Sequence, residues 1–135
     1  MNLGDLRIGS YVKLESVDDI FWIQSLFLKD GEYFAGILPR FSSGSELMTI
    51  KLREILPIKI SVDNLGILGF IMDGPLFTKD SSEYRCEVKM GFMEPWDIWT
   101  ISFYNRSKKW NNFNRKYIHE VQNLLLEHKH HYEKN

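Results

Sequence analysis

The segment Ile20 to Leu28, IFWIQSLFL, constrains this chain more than any other. It is apolar on both faces of an extended strand: Trp22, Gln24, Leu26 and Leu28 alternate with Phe21, Ile23, Ser25 and Phe27. Its aromatic and β-branched residues favour a strand over a helix. Asp30-Gly31 follows as a turn signal and Tyr33 to Leu38 returns, which predicts a hairpin. Arg7 to Leu14 reads as a preceding strand with Ile8, Val12 and Leu14 on one side. Phe41 to Glu46 is a loop, and Leu47 to Leu52 and Ile55 to Ile60 complete four or five short strands. Such a run often closes into a small barrel or a strongly curved sheet.

The second half adds helices. Ser61 is a suitable N-cap for a short helix, Val62 to Leu68, with Gly69 where a left-handed C-terminal residue is wanted. Asp73-Gly74-Pro75 is a turn. Tyr84, Cys86, Val88 and Met90 alternate with Arg85, Glu87 and Lys89 as a half-buried strand. Asp97 to Tyr104 is the next strand, with Trp99, Ile101 and Phe103 on one face and Thr100 and Ser102 on the other. A further strand begins near Ser107 to Trp110. Asn114 is the expected N-cap of a last helix whose apolar stripe is Tyr117, Ile118, Val121, Leu124, Leu125 and His128. The expected fold is α+β: an antiparallel β-rich portion, about 5–60, packed with a helix–strands–helix portion, about 61–132. With 135 residues, one compact domain is expected.

Three blocks along the chain carry a family resemblance. Leu6 to Val12 (LRIGSYV), Leu56 to Ser61 followed by Leu65 to Phe70 (LPIKIS and LGILGF), and Tyr117 to Leu124 (YIHEVQNL) resemble small uncharacterised proteins of Bacteroidetes and their phages. Ser10 stands where that pattern has Asn, and Glu120 where it has Gln. The resemblance implies a similar α+β fold and a phage or mobile-element setting. It implies no activity and names no catalytic residue.

Charge excludes some function classes. Lys and Arg number 17 against 18 Asp and Glu, a net charge of -1, so nothing pulls the whole chain toward nucleic acid or an anionic membrane. The start lacks a signal peptide pattern, and no apolar run approaches a bilayer span of about 20 residues. The single cysteine, Cys86, cannot form an internal disulfide, which suits a reducing cytoplasm. It lies mid-strand on the apolar side and reads as a buried thiol.

The candidate sites are few. The 9 Phe, 6 Tyr and 4 Trp exceed what a minimal core needs. The richest mixture runs from Trp96 to Tyr117, where Trp96, Trp99, Tyr104, Trp110 and Phe113 are interleaved with Arg106, Lys108, Lys109, Arg115 and Lys116. Rings and cations together suit a nucleotide or single strand; the competing reading puts the rings in the core and the cations in solvent. His119, with Gln122 and Asn123 at i+3 and i+4, forms a polar cluster for ligand contact or acid–base work. Equally, the cluster could anchor the helix to the Arg7–Tyr11 strand. His128, His130 and His131 read as a solvated helix end. No phosphate loop, nucleophile elbow, metal motif or cofactor signature is present.

The leading expectation is a non-enzymatic binding protein holding a small nucleotide-like ligand or a protein partner in an aromatic-lined groove. Its site residues would be Trp96, Trp99, Arg106, Trp110, His119, Gln122 and Asn123. One alternative is nucleic-acid binding through the 106–116 segment, since a helix, three strands and a helix is also the order of double-stranded RNA-binding domains. The other is an enzyme using His119. An outward Leu126 hints at a homodimer.

Overall fold

A computed structural model describes residues 5–15, 17–40, 47–81, 84–91, 98–105 and 108–133, with the side chains of 18, 108–110 and 129–133 outside that description. The chain forms two compact units, residues 1–58 and 59–135. Both are built on antiparallel sheets, and among the described residues two α-helices complete an α+β architecture.

The first unit contains β1 (Tyr11–Leu14), β2 (Val17–Lys29), β3 (Glu32–Pro39), β4 (Met48–Lys51) and β5 (Ile55–Leu56). Their order in the sheet is β4-β3-β2-β1-β5. A single 3-10 turn, Leu52–Glu54, carries the chain from β4 to β5. The sheet leaves β4 and β5 as its two edges, so it does not close into the small barrel expected from the sequence. Leu6, Val12, Phe21, Ile23, Ala35, Ile37, Leu52 and Ile55 make its core.

Two local devices set this sheet. Asp30 (φ 52) and Gly31 (φ 78) are both left-handed, the two-residue hairpin turn whose twist matches that of the strands. A bulge between Ile23 and Ser25 then shifts the pleat. Ile23 faces Ile37 and Leu26 faces Ala35, so the residues sharing a face are three apart here, not two. Phe21 and Ile23 are therefore buried while Trp22 and Phe27 lie on the other face, 38% and 39% exposed.

Arg7 to Ser10 departs from the expected strand. It is a turn, with Gly9 at φ 95 and the Ser10 hydroxyl accepting the Arg7 N–H at 2.9 Å. Ile8 is consequently exposed and does not share a face with Val12.

The second unit begins with Lys59, bridged to Tyr117, and α1 (Val62–Ile67). The Ser61 hydroxyl accepts the Asn64 N–H at 3.2 Å, and Gly69 (φ 91) ends the turn, both as expected. Five strands follow as a meander: β6 (Ile71–Asp73), β7 (Leu76–Asp80), β8 (Arg85–Met90), β9 (Trp99–Asn105) and β10 (Lys108–Arg115). The expected three strands are thus five. The hairpin at Gly74-Pro75 pairs two strands too short to show periodicity, and the order no longer matches a double-stranded RNA-binding domain.

The last helix, α2, is Ile118–Glu133. Asn114 does not cap it, because it lies in β10 opposite Thr100. The cap comes from inside the helix. Glu120 Oε1 accepts the N–H groups of Lys116 (3.2 Å) and Tyr117 (3.0 Å), satisfying donors that a helix start leaves open. Ile118, Val121, Leu124 and His128 are buried along the expected stripe. Among the described residues, no helix is long and apolar enough to cross a membrane.

Candidate functional site

The second sheet has two chemically opposite faces. On one, Phe77, Cys86, Val88, Trp99, Ile101 and Phe103 are buried. His128 lies flat on Phe103, with centroids 3.6 Å apart and planes 5° apart, and its Nδ1 is 2.8 Å from the Leu124 carbonyl. This corrects the expectation of a solvated helix end at His128: Phe103 supplies a ring to cover it. His130 and His131 lie outside the described side chains.

The other face is polar because strand side chains alternate. Register places its residues in rows across the strands. One row is Thr78, Glu87, Ser102 and Asn112; the next is Lys89, Thr100 and Asn114; a third is Asp80, Arg85 and Tyr104. An open cleft of about 470 Å³ lies here, lined by Leu76, Glu87, Lys89, Met90, Gly91, Thr100, Ser102 and Tyr104. That volume falls within the usual range for small-molecule sites.

The rows are held laterally. The Ser102 hydroxyl donates to Asn112 Oδ1 and the Thr100 hydroxyl to Asn114 Oδ1, each at 3.0 Å. Arg85 Nε donates to Glu87 Oε2 at 3.1 Å, and its guanidinium also meets Asp73 at 3.4 Å and Asp80 at 3.9 Å. The Tyr104 hydroxyl is pushed above its ordinary pKa by desolvation and by the Glu87 carboxylate, which also takes its hydrogen bond. At the end of the cleft the Gly91 N–H donates to the Ile98 carbonyl at 3.0 Å. A β-carbon on Gly91 would meet that oxygen at 2.6 Å, so the closure requires glycine.

The residues singled out from the sequence are placed differently. Trp99 is 4% exposed, edge-on to Phe77, on the face opposite the cleft. His119 is 1% exposed, not on a polar side of α2, and lies nearly parallel to Tyr117. The first turn of α2 is covered on more than one side, which a single-stripe reading does not capture. Gln122 and Asn123 are half-buried. Trp96 and Arg106 lie outside the described residues, and Trp110 is described only as backbone of β10. Arg115 stacks over Phe113 at 5.2 Å and Lys116 over Tyr117 at 5.8 Å.

Sequence reasoning missed Glu87 and Lys89 as cleft residues, although the alternation Trp99-Thr100-Ile101-Ser102-Phe103 already separated the two faces; of the rings in the Trp96–Tyr117 mixture, Tyr104 does line the cleft. The sequence reading also missed the exposed rings of the first unit. Trp22 and Phe27 share the outer face of that sheet, and Phe27 stacks on Phe34 at 5.7 Å. Among the described residues, no group of three metal-ligating side chains comes together. No protein-family model, no curated protein and no solved structure matches the chain.

Proposed function

We propose that this protein is a non-enzymatic binding protein that holds a small polar ligand in the cleft on the second sheet. The observation that carries this reading is the cleft wall itself. Its Thr100 and Ser102 hydroxyls are on short side chains already fixed by cross-strand hydrogen bonds to Asn114 and Asn112. A ligand meeting them would lose little side-chain entropy. Catalysis is disfavoured by the same geometry. Glu87 is engaged by Arg85 and the Tyr104 hydroxyl is held protonated, while His119 is buried away from solvent. A general base must come within hydrogen-bond reach of its substrate.

A cytoplasmic setting fits the single buried thiol, and a phage or mobile-element setting rests on the three sequence blocks described above. The test is a thermal-shift screen of small polar metabolites, nucleotides included, since a ligand bound only by the folded state raises its stability by mass action. A ligand that shifts the parent protein but not a Thr100→Val/Ser102→Ala variant supports the cleft. A ligand that shifts both equally places binding elsewhere.

A second reading, self-association, is favoured by the exposed Trp22, Phe27 and Leu28 of the first unit. It predicts concentration-dependent sedimentation that Trp22→Ser with Phe27→Ser abolishes; a monomer at every concentration removes it.

A further inference from the structure

We draw no further inference here: the strongest candidate, the exposed apolar outer face of the first sheet around Trp22 and Phe27, carries nothing further because nothing in the structure shows what covers it.

Discussion

Cys86 is fully buried in β8, and that burial pushes its thiol up to about 12 from 9.0, with the nearby Glu87 carboxylate adding to the rise and Lys79 opposing it. An acid whose folded pKa is raised stays protonated in the fold while the unfolded chain ionises. Its contribution is complete below pH 9.0 and is lost as pH climbs toward about 12. The slope approaches about 1.4 kcal/mol per pH unit. Urea unfolding of the parent and Cys86→Ala should therefore differ in pH dependence only above pH 9.0; parallel profiles there would contradict the burial. Gly91 makes a second prediction at this scale. Gly91→Ala drives a methyl into the Ile98 carbonyl and should cost about 1–3 kcal/mol, read as a lower urea midpoint. The sequence made Cys86 legible because alternation is local. It left Glu87 and Lys89 as an anonymous polar face, since only the register across β8 and β9 reveals which polar residues adjoin.

At the level of elements, caps and turns were legible where one residue carries the chemistry. Ser61, Gly69 and the Asp30-Gly31 pair act as their residue types predict. Ser61→Ala should destabilise the protein by about 1 kcal/mol; no change in denaturation midpoint would show that α1 is held by packing alone. The start of α2 was misread because its cap, Glu120, reaches back from the first turn, and Asn114 looks like a cap while serving β10. The β2 strand shows a further limit. Alternation from Phe21 to Ile23 holds, then the bulge resets the phase, and a bulge has no signature in an apolar run. His128 belongs to this scale too. Its flat contact on Phe103 ties the C-terminal half of α2 to β9. His128→Ala should cost about 2 kcal/mol and loosen amide protection in that half of the helix; unchanged exchange would contradict the stack.

The molecule as a whole is two compact units with contrasting surfaces: exposed rings on the outer face of the first sheet and a polar cleft on the second. The α+β class could be read from hydrophobic periodicity and turn residues. The cleft could not, because the sequence signal drew attention to aromatics and Trp99 turned out to serve the core. A net charge of -1, with Arg115 and Lys116 lying over rings, gives no broad cationic stripe for nucleic acid among the described residues. A gel shift at low salt should show no retarded species; strong, steeply salt-dependent retardation would favour the 106–116 segment as a nucleic-acid interface. The most direct measurement is amide chemical-shift mapping of the full chain against small polar metabolites, nucleotides included. The account predicts that the largest shifts cluster at residues 87–91 and 99–104, with residues 11–51 unmoved. Shifts confined to residues 11–51, or none anywhere, would contradict it.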